Sequence, residues 1–155
     1  MRKKILLFIY IIIMIVFNYS CQKKEPTQSP DSDILTGKIS AQFNDFNINI
    51  ESGKVKELFG GESETDFSKV ENFSVKQSEY GEAGVFKLYT QVSVDYIKDI
   101  AQKRILNLQE NAGNLENLVT ANDAEVRSYG NYVYYVSHSE KDRIFKIIED
   151  ELKGV

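Results

Sequence analysis

The dipeptide Gly130-Asn131 lies between two alternating, tyrosine-rich runs, Ala124 to Tyr129 and Tyr132 to Ser137, and no other feature restricts the fold of this chain as strongly. A two-residue connection between antiparallel strands needs φ > 0 at its first central residue or at both, and glycine at the first position supplies it. The loop length then fixes the register. Tyr129 is expected opposite Tyr132, Arg127 opposite Tyr134 and Glu125 opposite Val136, with Val126, Val133 and Tyr135 on the other face.

A second hairpin precedes it. Val70 to Gln77 alternates, with Phe73 and Val75 on one face and Asn72, Ser74 and Lys76 on the other; Glu82 to Tyr89 follows with Phe86 and Leu88 toward the core. Ser78-Glu79-Tyr80-Gly81 connects the two. Helical spacing appears at Leu35, Ile39, Phe43 and Phe46, after Asp31 or Ser32 as a cap, and again over Lys54 to Phe59, which Gly60-Gly61 ends. The longest helix runs from the Ser93 cap to about Asn111, burying Val94, Ile97, Ala101, Ile105, Leu108 and Ala112. Asn114 to Thr120 is a poorly patterned link with room for one helical turn. Ser139 with Asp142 forms a capping pair for a last helix carrying Ile144, Phe145, Ile148 and Leu152. The order α-α-ββ-α-ββ-α predicts an α+β domain: a four-stranded antiparallel sheet from two β-hairpins, with helices packed on one face.

The N-terminus reads differently from the rest. Arg2-Lys3-Lys4 precedes thirteen unbroken apolar residues, Ile5 to Phe17, which suits the core of an export signal and is too short to span a bilayer. Asn18-Tyr19-Ser20-Cys21 then reads as a lipobox, with small Ser20 before the cysteine and Asn18 where leucine is usual. Cys21 is the only cysteine of the 155 residues, and lipidation of its thiol with two acyl chains would anchor the chain stably. Residues 1–20 are thus expected to be a cleaved signal peptide, 21–31 the lipidated cysteine and a flexible tether holding both prolines, and 32–155 one extracytoplasmic domain. Three of the 19 basic residues leave with the leader and no acidic one does, so 16 face 23 acids, a net charge of −7. That sign disfavours nucleic acid as a partner and leaves membrane attachment to the lipid.

Glu82-Ala83-Gly84-Val85-Phe86-Lys87-Leu88, the amphipathic helix through Lys103-Arg104 and Gln109, and Gly130-Asn131-Tyr132-Val133 together resemble small bacterial lipoproteins carrying domain of unknown function 4358. The similarity covers about residues 65–155 and the leader. It implies a fold and a location; the family offers no activity or site residues to carry over.

Catalytic and metal-binding residues are absent from the pattern. His138 is the only histidine, and a zinc site or a Ser-His-Asp system needs more partners than that. Glu62, Glu64 and Asp66 read as a solvated loop, lacking the spacing of a calcium loop. No cofactor is expected. The second hairpin carries the candidate interaction surface: Tyr129, Tyr132 and Tyr134 on one face with Arg127 among them, residue types that dominate binding hot spots and that equally stabilise an exposed sheet. The expected function is a non-catalytic, membrane-anchored binding domain with an envelope protein or glycan as partner. A carboxylate-dependent hydrolase of cell-wall glycan or peptide is the alternative, and requires a pocket holding two carboxylates. A small-ligand lipoprotein feeding a transporter ranks last, the domain being small for a two-lobed scaffold.

Overall fold

The computed structural model describes residues 29–60 and 66–154. The expected signal peptide, Cys21, the tether as far as residue 28, and residues 61–65 with Glu62 and Glu64 lie outside the described residues. Among the described residues, five helices and an antiparallel five-stranded sheet make up an α+β fold. In chain order these are α1 (Ser32–Gln42), β1 (Ile48–Asn49), α2 (Ser52–Leu58), β2 (Val70–Ser78), β3 (Gly81–Leu88), α3 (Val94–Glu110), α4 (Leu115–Asn122), β4 (Glu125–Tyr129), β5 (Tyr132–Ser137) and α5 (Lys141–Lys153). The strands lie in the order β1-β2-β3-β5-β4.

Both hairpins form as expected. Tyr129 pairs with Tyr132, Arg127 with Tyr134 and Glu125 with Val136. Gly130 takes φ +57°, while no non-glycine among the described residues has positive φ, so the turn needs glycine at its first position only. The first hairpin closes over Glu79-Tyr80, pairing Ser78 with Gly81. Glu82 to Lys87 of β3 then pair with Ser137 to Tyr132 of β5, which joins the two hairpins into one sheet. The fifth strand is β1, whose two residues pair Ile48 with Gln77 and Asn49 with Lys76.

The expectation that helices cover one face is corrected. One apolar core packs α2 and α3, through Val55, Ile97, Ala101 and Ile105, onto Val75, Phe86, Leu88, Val133 and Tyr135. A second packs α1 and α5, through Leu35, Ile39, Ile144, Phe145 and Ile148, onto Ala83, Val85, Tyr132, Tyr134 and Val136. The sheet is the middle layer, so β5 is buried along its whole length and β3 from Glu82 on. The face of β2 that reads as polar is what α1 docks on. Thr36 Oγ1 and Ser74 Oγ lie 2.7 Å apart, and the Ser32 amide donates to Asn72 Oδ1 at 2.8 Å. Hydroxyls that satisfy one another can be buried without the desolvation cost of lone polar groups.

The chain ends of the helices also depart from expectation. Ser139 and Asp142 do not cap α5; the helix starts at Lys141, and His138 Nδ1 accepts the Glu140 amide at 3.1 Å instead. Asp31 occupies the cap position of α1 and bonds its amides through the backbone carbonyl only; its carboxylate accepts from Asn72 Nδ2 and Lys87 Nζ instead. The stretch from Asn114 folds as α4, with the Asn114 side chain accepting the Asn117 amide at 2.8 Å.

Candidate functional site

The four residues of the expected interaction surface do share a face of the second hairpin, but α1 and α5 cover that face. Tyr132 is 3% and Tyr134 1% exposed, both under α1 and α5. Only Tyr129, 44% exposed, and part of Arg127 reach solvent. Arg127 is engaged from several sides: Nε donates to Glu125 at 2.8 Å, Nη1 to Glu149 at 3.3 Å, and the guanidinium lies 4.0 Å from the Phe145 ring centre. The bond to Glu125 holds the Arg127 pKa above its ordinary value and the Glu125 carboxyl below its own. A hot-spot arginine must have capacity left for a partner, and this one is committed to its own domain.

Burial pushes the Tyr134 phenol up to about 12, with Glu149 adding to the effect. The fold therefore favours the protonated phenol, whose unfolded pKa is about 10. Its stabilisation is complete below pH 10 and is lost as pH rises through about 12, on the order of 3 kcal/mol for a shift of this size. Equilibrium unfolding followed from pH 9 upward should show a steep alkaline loss, made shallower by Tyr134→Phe. Burial also raises the Tyr135 phenol well above its ordinary value, so Tyr135→Phe acts in the same direction.

Sequence reasoning missed a charged cluster in the other core. Glu82 and Arg104 are both buried. Arg104 Nε donates to Glu82 Oε1 at 2.9 Å and Nη2 to Oε2 at 2.7 Å, a bidentate pair between β3 and α3. Tyr135 Oη donates to Oε1 and Gln77 Nε2 to Oε2 at 2.7 Å, so four donors converge on one carboxylate. Arg104 Nη1 continues to Asn107 Oδ1 at 2.9 Å. Burial works against the charge on Arg104, and its bonds to Glu82 outweigh it, leaving the guanidinium pKa raised. Two signals could have found the pair. Glu82 shares strand parity with Phe86 and Leu88, and Arg104 lies three and seven residues beyond Ala101 and Ile97 of the buried stripe.

Gly84 shapes this cluster. A Cβ built there would lie 2.2 Å from Cε1 and 2.8 Å from Cζ of Tyr135. The tyrosine ring thus rests on the bare backbone of β3, which aims its hydroxyl at Glu82 on the same strand.

Glu82 also lines a cleft of about 180 Å³ at the end of the sheet near the Glu79-Tyr80 turn, with Gln77, Glu79, Asn111, Asn117 and Thr120. Asn117 Oδ1, buried in its wall, accepts no hydrogen bond among the described residues. His138, near the same end, donates from Nε2 to Asp45 Oδ2 at 3.1 Å, since its Nδ1 is taken by the Glu140 amide. It packs on Phe43 and Phe46 and serves structure. Among the described residues no three His, Cys, Asp or Glu side chains stand close enough together to hold a metal ion.

At the opposite end the chain enters the domain through a clamp. Buried Lys87 donates from Nζ to the Ser29 carbonyl at 3.2 Å and to Asp31 Oδ1 at 3.1 Å, and pairs with Glu71 at 2.9 Å. Tyr132 Oη donates to the Pro30 carbonyl at 2.7 Å. Residues 29–31, expected as the end of a flexible tether, are therefore fastened to β3 and β5. Burial opposes the charge on Lys87, and the bonds from Glu71 and Asp31 more than offset it, raising its pKa.

Comparisons with protein-family models, with curated proteins and with solved structures find no match to this chain. The resemblance to the lipoprotein family rests on its short motifs alone.

Proposed function

We propose that the protein is a bacterial lipoprotein, exported, cleaved before Cys21 and held at the outer side of a membrane by lipid, whose domain binds an envelope component and catalyses nothing. The observation that carries the reading is the sequence Arg2-Lys3-Lys4, the apolar run Ile5 to Phe17, and Ser20-Cys21. Among the described residues no helix is long and apolar enough to cross a membrane.

The competing hydrolase reading needs a cleft that holds two carboxylates: Glu79 and Glu82 line one, and Asp150 and Glu151 line another, where they pair with Lys146 and Lys38. General acid–base work needs a carboxyl free to give or take a proton at the substrate. Glu82 has both oxygens held by Arg104, Tyr135 and Gln77, which fits a structural anchor better than a catalyst. The volume of the cleft lined by Glu79 and Glu82, about 180 Å³, is also below the roughly 300–1,000 Å³ typical of small-molecule sites. Both points favour binding over catalysis.

Growth of an expressing bacterium on a fatty acid carrying a clickable tag tests the reading. The wild-type chain should take up the tag, and Cys21→Ala should lose all of it and retain the leader. An untagged wild-type protein, or a tag that survives Cys21→Ala, would overturn the proposal.

A further inference from the structure

We infer that one end of the domain, formed by Tyr89, Val92 and Tyr129, is a docking surface for the lipid–water interface of the membrane that anchors the chain. The inference rests on the lipoprotein reading and adds an orientation to it.

The three residues come from different segments that meet at one end of the sheet. Leu88, at the end of β3, donates its amide to the Asn131 carbonyl at 2.8 Å, and Asn131 Nδ2 donates back to the Leu88 carbonyl at 2.6 Å. A Cβ on Gly130 would lie 3.9 Å from Gln91 Nε2, so the turn of the second hairpin touches the loop after β3. Tyr89 is 64% and Val92 93% exposed, and Tyr129, 44% exposed, ends β4 at the hairpin tip. Scattered apolar residues on a surface need no explanation; three on adjoining loops at one end do. The loop is built to hold them there. Tyr89 donates its amide to the Lys69 carbonyl at 3.2 Å, and Val92 sits in a 3-10 turn over Gln91–Ser93.

The occupant follows from where the chain enters. Lys87 and Tyr132 fasten Ser29 and Pro30 at this same end, and Tyr129 shares a groove of about 340 Å³ with Pro30, Tyr132 and Leu152. Seven residues separate Cys21 from Ser29. Even fully extended they reach about 28 Å, so a lipid on Cys21 keeps this end close to the bilayer. The far end, with the Glu79-Tyr80 turn and α4, stands roughly 25 Å further out, about the length of β3. Tyrosine suits the boundary, its ring in the apolar region and its hydroxyl in water.

Attraction at this surface is apolar. Among the described residues, Lys69 pairs with Asp66, Lys87 with Asp31 and Glu71, and Lys153 with Glu149, so these three cations already have carboxylate partners. Contact with the bilayer should therefore persist in high salt and need no anionic lipid. Three side chains would hold a free domain weakly; the tether supplies the high local concentration that makes them sufficient.

The chain contains no tryptophan, so an introduced indole reports alone. The full-length lipidated protein, purified from membranes, would be placed in phosphatidylcholine vesicles as Val92→Trp and, separately, as Leu115→Trp. Leu115 is also exposed and lies at the far end, on α4. Brominated phosphatidylcholine should remove most of the emission from Val92→Trp, with and without high salt, and leave Leu115→Trp unchanged. Equal, unquenched emission from both variants in vesicles that carry the protein overturns the docked orientation alone. Failure of the wild-type protein to float with vesicles overturns the lipoprotein reading and this inference with it.

Discussion

Arg104→Met is expected to lower folding stability by about 3–5 kcal/mol, because it leaves Glu82 as a charge buried without its ion partner. The loss comes from the stranded carboxylate more than from any net attraction in the pair, since both ions gave up water to be there. Replacing both partners should show this. Glu82→Leu with Arg104→Met removes the two charges together and should recover a substantial part of the loss, though Tyr135 Oη and Gln77 Nε2 are then left without their acceptor. Urea unfolding at pH 7 measures it, with the midpoint shifting and the slope unchanged. A single variant that costs under about 1 kcal/mol would mean that the pair behaves as an exposed salt bridge and that Glu82 is not dry in solution.

Gly84→Ala should be the second severe change, costing about 3 kcal/mol, the upper range for overpacking a rigid core. The new methyl would meet the Tyr135 ring at 2.2 Å, and that ring cannot withdraw without pulling its hydroxyl from Glu82. The mechanism predicts coupling between the sites. Gly84→Ala combined with Tyr135→Leu should cost clearly less than the sum of the two single variants, because the leucine vacates the space over the strand. Simple additivity in urea unfolding would contradict the contact. The effect is steric and not a matter of glycine's backbone freedom, as Gly84 does not adopt a positive φ.

These two variants converge on a cluster that was half legible in the sequence. Strand parity assigns Glu82 to the face of Phe86 and Leu88, and helical spacing turns Arg104 inward, yet each charge alone looks like an error in an apolar stripe. Only β3 pairing with β5, and α3 crossing that face, bring them within bonding distance. The register around Gly130-Asn131 was legible because loop length and glycine dictate it locally. So was the inner parity of Val126, Val133 and Tyr135. What alternation cannot reveal is whether the opposite face meets water or a helix. Asn72 and Ser74 look solvated and are instead the landing for α1, through Ser32 and Thr36. Tyr132 and Tyr134 were assigned to an interaction surface on that same assumption, and they lie in the second core. Lys87 reads as an outward residue of β3; its burial depends on partners at positions 29, 31 and 71, the last displaced by a register shift between Val70 and Asn72. The two-residue strand β1 carries too little pattern to be seen from sequence at all.

The clamp also links the fold to the proposed location. A tether that began to be free only after a helix cap would let the domain tumble over the membrane. Fastening residues 29–31 to β3 and β5 shortens it and fixes which end of the sheet it leaves from.

Lipidation of Cys21 after removal of the preceding residues can be read from the intact mass of the protein purified from bacterial membranes, with fragmentation of its N-terminal peptide. The expected chain begins at Cys21 and carries diacylglycerol in thioether linkage on that residue. A chain that retains Met1 to Ser20, or one that begins elsewhere with an unmodified Cys21, would contradict it.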